Sequence, residues 1–337
     1  MSAVTIRDVA RHAGVGVGTV SRVLNSSPSV SQATRQRVLA VIEELDFEPN
    51  PIARRLSLGK TLNIAVIVPF FTRPLFVERL RGIEYTLAQS EYDLVLYNVE
   101  TTERRDECFR EIPRRERIDG MLILSLLPQD KDVDRFLKAR VPTVLVDAHH
   151  PLLNRLVMDD VEGGRLAAEH LIQLGHRKIG FVGDYLENRF GFVSSRDRFE
   201  GYYQALELAD ISFQPKYLKQ GEHSQLAARR LALELLALPD RPTAIFAASD
   251  TQAIGVLMAA QELDLAVPGD LSVIGFDDIE IAEYLHLSTM CQPSFVLGTE
   301  AVQLLMEAIE EPQRPPREIL YAAELVARAT TAPPVAA

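Results

Sequence analysis

The sequence predicts a small all-α head followed by a two-lobed α/β body with parallel sheets. Three observations carry the prediction. Apolar residues recur with a helical period over the first 50 residues, and from Leu62 onward short apolar runs alternate with amphipathic helical stretches. The charge divides at the same place. Residues 1–60 carry eight Lys/Arg against five Asp/Glu, although the 337-residue chain as a whole has a net charge of −11. The alternating part, about 270 residues, exceeds one comfortable hydrophobic core, so two lobes are expected.

Composition excludes several classes of protein. A chain that is 47% hydrophobic and 25% charged has the balance of a soluble globular protein. Its two cysteines, Cys108 and Cys291, have no metal-ligand spacing, which points to a reducing compartment. The N-terminus, MSAVTIRDVARHAG, places charges where a secretory segment needs an apolar run, and no apolar stretch approaches membrane-spanning length. A cytoplasmic location and no membrane partner are therefore expected. A basic head on an acidic body is the layout of a protein whose one end meets phosphates.

The head divides into three helical patterns. Thr5 is a cap with Asp8 at the acidic third position, and Ile6, Val9, Ala10 and Ala13 share one face. Gly14 ends this helix. Val17, Val20, Val23 and Leu24 form a second apolar stripe, leaving Gly18, Ser21, Arg22 and Asn25 on the other face. Ser31 caps a third helix, with Thr34 in its first turn and the stripe Val38, Val41, Ile42 and Leu45. Three short helices with a turn of about four residues between the first two make a helix-turn-helix. The glycines of GVGVGTVSRVLN could instead suggest a phosphate cradle. That motif must follow a strand, whereas here a helix precedes, and Thr19 stands where the third glycine would be.

From TVSRVLN, the VSxxTR that starts the third helix and the PNxxARxL that follows it, the head resembles the DNA-binding head of the lactose-repressor (LacI/GalR) family of bacterial transcription regulators. The resemblance implies that Val17, Gly18 and Arg22 read base edges in the major groove. It places Thr19, Ser21 and Asn25 near phosphates, and extends the DNA contacts to Thr5, Ser31 and Thr34. Arg22 suits its role chemically, because a guanidinium can grip O6 and N7 of guanine together. One departure is Gly16, where the family usually has serine, so this helix start lacks a side-chain cap.

Asn50-Pro51 opens a fourth short pattern through Ala53, Arg54 and Leu56, which Gly59 stops. The resemblance makes this a hinge helix that pairs with its dimer mate in the minor groove and levers Leu56 between base pairs, a wedge whose unstacking cost is offset by added contact. The expected division is thus a helix-turn-helix domain at 1–49, a hinge and linker at 50–60, and a two-lobed effector and dimerisation domain at 61–337.

In the body, NIAVIV, DLVLYNV, GMLIL, TVLVD, KIGFVG, TAIFAAS and LSVIGF read as strands, with ILYAAELVARATT as the last strand pattern. LAARRLALELLALP and TQAIGVLMAAQELDL read as helices. Alternation of this kind predicts parallel sheets covered on both faces. The body resembles the periplasmic-binding-protein-like effector domain of the same family, which implies three crossovers and a ligand between the lobes. Open α/β sheets bind beyond the carboxyl ends of their strands. The candidates there are Phe70, Arg73 and Phe76 after the first strand, Asp147 after TVLVD, Ser249 after IFAAS, and Asp277 after VIGF. Arg198 in RDRFEGYYQAL matches the family arginine that grips ligand oxygens. Asp147, Arg198 and Asp277 suit a polyol, since carboxylates accept from hydroxyls and a guanidinium donates. Arg73 beside Arg198 points to an anionic group on the ligand. The family commonly has PDxxNPFF where this chain has PFFTRPLF.

The expected function is a homodimeric, sequence-specific DNA-binding regulator. It acts as a repressor at a pseudo-palindromic operator, under a small ligand, a sugar or sugar derivative, bound between the lobes. Alternatives are a partner protein or a non-sugar anionic metabolite as effector, or a stand-alone sugar-binding protein. No GxSxG, HExxH or Walker loop is present, so no enzyme activity, metal or cofactor is expected. The end of the chain has no heptad tail to specify a tetramer.

Overall fold

The computed structural model describes residues 4–25, 27–47, 59–188 and 190–335. The chain divides into two units, Met1–Leu62 and Asn63–Ala337.

The first unit holds α1 (Ile6–His12), α2 (Val17–Leu24) and α3 (Gln32–Glu44). At the start of α1 the Thr5 backbone N–H and hydroxyl donate to the Asp8 carboxylate at 3.0 and 2.6 Å. Gly14 reverses the chain at φ +63°, a conformation glycine adopts without steric cost. The Ser31 hydroxyl accepts the Thr34 N–H at 3.3 Å and caps α3. Gly16 occupies the cap position of α2 with no side-chain hydrogen bond. Val9, Ala13, Val20, Val23, Val38, Val41 and Phe47 close one small core. Val17 departs from the expected stripe. It is 42% exposed, because Val15 from the preceding turn packs against the core in its place. Asn50, Ala53, Arg54 and Leu56 of the expected hinge helix lie outside the described residues.

The second unit has two six-stranded sheets. In the first, β1 (Asn63–Pro69), β2 (Asp93–Val99), β3 (Gly120–Leu124), β4 (Thr143–Val146), β5 (Asn154–Met158) and β11 (Glu318–Tyr321) run parallel in the order β11-β5-β4-β3-β1-β2. The second contains β6 (Ile179–Asp184), β7 (Leu218–Gly221), β8 (Ala244–Ala247), β9 (Ser272–Asp277), β10 (Ser288–Cys291) and β12 (Glu324–Val326), in the order β12-β10-β9-β8-β6-β7. Of the described strands, only the edge strand β12 is antiparallel. The chain passes between the sheets at Met158–Asp160, Cys291–Ser294 and Tyr321–Glu324.

Helices cover both faces of each sheet. In the first lobe these are α4 (Pro74–Leu87), α5 (Thr102–Glu111), α6 (Asp130–Ala139) and α12 (Ser294–Glu310); in the second, α7 (Asp160–Gln173), α8 (Ser194–Leu208), α9 (Gln225–Leu236), α10 (Asp250–Glu262) and the short α11 (Glu280–Tyr284). Alternate strand residues feed different cores. Ile64, Val66 and Val68 join the cluster shared with α4 and α12, whereas Ala65 and Ile67 face Phe109 and Phe136. The ILYAAELVARATT pattern becomes two short strands in different sheets, and β5, β7 and β10 are additions to the expected set. One close approach positions the site. A Cβ on Gly164 of α7 would lie 2.1 Å from the Arg198 carbonyl oxygen, and one on Gly201 of α8 would lie 1.9 Å from that of Val161. Only glycines allow these backbones to meet so closely, which brings Arg198 against the start of α7.

Candidate functional site

Two sites emerge, one in each unit. In the head, α2 turns Val20 and Val23 inward and leaves Val17, Gly18 and Arg22 on its outer side, with Thr19, Ser21 and Asn25 beside them. Among the described residues no side-chain hydrogen bond or ion pair engages Arg22. A free guanidinium, a small apolar side chain and a glycine on one helical face form a surface that can read base edges. The arginine suits guanine, the valine suits a thymine methyl, and the glycine permits close approach. Thr5 and Ser31 are exposed at the starts of α1 and α3, while Thr34 is half-buried against Ser31.

In the body, a cleft between the lobes is lined by the strand ends. The first lobe supplies Arg73, Phe76, Ser125 and Asp147; the second supplies Asp184, Phe192, Ser195, Arg198, His223, Ser249, Gln252 and Asp277. Phe70, Ser125, Asp147, Asp277 and Asp278 all follow or end strands with φ between +44° and +116°. Such backbone costs about 1–3 kcal/mol per residue and gathers at ligand sites.

A continuous polar chain runs through this lining and behind it. Asp147 Oδ2 accepts from Ser125 Oγ at 2.9 Å and from Arg79 Nη1 at 3.0 Å. Arg79, fully buried in α4, donates through Nη2 to Gln292 Oε1 at 3.1 Å, and Gln292 Nε2 donates to Asp277 Oδ1 at 2.6 Å. Arg198 then pairs with Asp277 at 3.4 Å and Asp160 at 2.8 Å, and donates to the Ala248 carbonyl at 2.6 Å. Its guanidinium lies 3.6 Å from the centroid of Phe276. The chain thus links side chains of both lobes. Asp147 and Asp277 each keep one carboxylate oxygen without a protein donor among the described residues.

Comparisons with known proteins establish the family and the fold. The family described as "Bacterial regulatory proteins, lacI family" matches residues 5–50, and the "Periplasmic binding protein-like domain" matches residues 168–331. The chain is 32% identical over 334 residues to the HTH-type transcriptional repressor PurR of Photobacterium profundum, with 96% of this chain and 97% of the relative covered. The chain belongs to the lacI family of bacterial regulatory proteins. It is also 33% identical to the ribose operon repressor of Haemophilus influenzae, over 96% of this chain and 97% of that one. The lac repressor dimer bound to operator and the anti-inducer ONPF superimposes with a TM-score of 0.85 at 30% identity, over 98% of this chain and all of that one. As a LacI-family member the protein is a DNA-binding transcription regulator, and these relatives are repressors rather than enzymes. No helix of the described residues is long and apolar enough to cross a membrane.

Most of the expected cleft residues of this LacI-family regulator line the cleft, but they differ in what they can offer. Phe70 is a correction. Its positive-φ turn carries the ring away from the lining to pack edge-on against Phe190 at 5.4 Å, with the Arg73 guanidinium 4.0 Å from its centroid. Arg198 donates through Nε to Asp160 and through Nη1 to the Ala248 carbonyl and Asp277, so its charge is already balanced by two carboxylates. The Ser249 hydroxyl caps α10, accepting from the Gln252 N–H at 3.2 Å. His150 pairs with Asp130, and no group of three or more His, Cys, Asp or Glu among the described residues could hold a metal.

Sequence reasoning missed Arg79, Ser125, Asp160, Asp184, His223, Gln252 and Gln292. Three of these had a signal. Arg79 lies three residues after Phe76 on one helical face, Ser125 follows the strand GMLIL as Asp147 follows β4, and Asp184 ends a strand as Asp277 does. Gln292 and His223 had none, since their positions follow from strand order.

Burial sets the protonation behaviour of the site. Burial pushes the Asp160 carboxyl up to about 7, because Asp147 and Asp277 add like charge that Arg198 only partly offsets. Asp277 and Asp250 are raised for the same first reason, burial. Asp250 accepts from the Ile279 N–H at 2.9 Å and the Thr289 hydroxyl at 2.6 Å. A carboxyl whose folded pKa lies above its unfolded value binds its proton more tightly in the folded state. Its stabilisation is full below about pH 4 and is lost as pH rises through the folded value, near 7 for Asp160. The body is therefore expected to melt at a higher temperature at pH 5.5 than at pH 8. Asp250→Asn should flatten this slope, since an amide can accept from Ile279 and donate to Thr289. Calorimetric melting across that range checks it; a slope unchanged in the variant would remove Asp250 from the explanation.

Proposed function

We propose that the protein is a homodimeric, sequence-specific repressor in the cytoplasm whose operator affinity is set by a small polyhydroxylated ligand in the cleft. The observation that carries the reading is the polar chain Asp147–Arg79–Gln292–Asp277–Arg198, which spans the two lobes and places Asp147, Asp277 and Arg198 in the lining. A ligand that takes the free oxygens of Asp147 and Asp277 contacts both lobes and favours one angle between them. A ligand can shift an equilibrium only by its differential contacts with the two states, and here those contacts come from both sides of the moving joint. A coupling of about 1–3 kcal/mol is typical of allosteric sites and is enough to switch repression.

On this reading α2 lies in the major groove, with Val17, Gly18 and Arg22 at base edges and Thr5, Thr19, Ser21, Asn25, Ser31 and Thr34 near phosphates. Asn50, Ala53, Arg54 and Leu56 form the minor-groove hinge. Self-association is supported by exposed apolar side chains, including Val77 and Tyr85 of α4, Phe295 and Val296 of α12, and Ile281 and Tyr284 of α11. Two-fold symmetry in the protein demands a two-fold operator. Selection from random duplexes at moderate salt should therefore enrich a pseudo-palindrome with a flexible step at its centre. Enrichment of no sequence, with or without a pool of sugars, would sink the proposal.

A further inference from the structure

We propose that the ligand of the cleft is a polyhydroxylated anion whose carboxylate or phosphate is gripped by Arg73. The inference rests on reading the cleft as the effector site and adds the class of effector.

Among the described residues, three arginines reach the cleft or its back wall, and two of them are already paired with carboxylates. Arg79 is held by Ser125, Asp147 and Gln292, and Arg198 by Asp160, Asp277 and the Ala248 carbonyl. Arg73 differs. It lines the cleft, is half-buried, and its guanidinium has no hydrogen bond or ion pair among the described residues. The guanidinium carbon lies 4.0 Å from the Phe70 ring centroid, a cation–π contact that holds the group without using its N–H donors. The carboxylate that acts on it electrostatically, Asp184, already accepts from Gln252 Nε2 at 2.9 Å and from His223 Nδ1 at 3.0 Å. Burial lowers the pKa of Arg73, which marks desolvation that no protein partner compensates fully.

A neutral polyol would satisfy Asp147 and Asp277 but leave this guanidinium desolvated and unpaired, a costly state for a charge. A bare anion would satisfy Arg73 but bring negative charge toward two carboxylates with nothing to donate to them. A molecule with hydroxyls at one end and a carboxylate or phosphate at the other satisfies both.

The test is calorimetric titration of the full-length protein with matched probes: glucose, gluconate and glucose 6-phosphate; ribose, ribonate and ribose 5-phosphate; and inorganic phosphate. At least one sugar acid or sugar phosphate is expected to bind tenfold or more tightly than its neutral parent, and the arm that binds decides between carboxylate and phosphate. Arg73→Gln should abolish that preference, and Arg73→Lys should retain part of it, with melting temperatures unchanged in both. If a neutral sugar binds as tightly as its acid or phosphate and Arg73→Gln leaves its affinity unaltered, the anion is overturned while the cleft remains the effector site. Inorganic phosphate binding as well as a sugar phosphate overturns the hydroxyl half of the proposal. Silence from every probe at millimolar concentration overturns both readings.

Discussion

Arg22→Ala is expected to lower affinity for the selected operator by about 30-fold to 10⁴-fold, since a bidentate grip on guanine contributes about 1–3 kcal/mol and a two-fold complex makes it twice. Arg22 lies on the outer side of α2 and pairs with nothing among the described residues of the head, so the substitution leaves the small core of Val9, Val20 and Val38 intact. The signature is the distribution of the loss. Discrimination should collapse at one symmetric pair of guanines, while binding to unrelated duplexes should fall only by the loss of one charge per protomer, with the salt slope reduced by about one unit for each. Fluorescence anisotropy against operator variants and scrambled DNA at several salt concentrations makes the measurement. A uniform loss across all sequences would place Arg22 on the phosphate backbone.

Arg79→Met should destabilise the body by about 3–5 kcal/mol, because removing one member of a buried ion pair leaves the other charge uncompensated. Arg79 has no solvent exposure, and its loss would strand Asp147 together with the oxygen of Gln292. For a unit of this size the change corresponds to a fall in melting temperature of about 10 °C. Adding Asp147→Asn to Arg79→Met should recover a large part of the loss by removing the stranded charge. Urea denaturation of the single and double variants separates the terms; a single variant as stable as the parent would mean that the buried pair carries no net weight.

The legible parts of this protein are those in which a local pattern is also the physical cause. Thr5 with Asp8, Gly14, and Ser31 with Thr34 could be read because caps and left-handed turns involve neighbours only three or four residues apart. The strands NIAVIV, GMLIL and LSVIGF could be read because a strand buried on both faces must be apolar throughout. Asp147 and Asp277 were found because a parallel sheet presents the ends of its strands to the cleft. Val17 was misread as core, since the stripe was counted along one helix without Val15 in the turn before it. The short strands β5, β7 and β10 escaped because LKQG and STMC are too short or too polar to carry a period.

By itself the sequence determined the helical period of the head, the inward Val20 and Val23 with Gly18 and Arg22 opposite them, the alternation of the body, and the acidic residues at strand ends. These follow from interactions within one element or between chain neighbours. Tertiary structure alone decided that Arg198 is paired with two carboxylates while Arg73 has no ion pair among the described residues, that Arg79 joins Asp147 to Gln292 across the lobes, and that ILYAAELV splits between two sheets. Each depends on which distant segments meet, and electrostatics in a buried site is set by the partners within hydrogen-bond reach, here up to 213 residues apart in the chain.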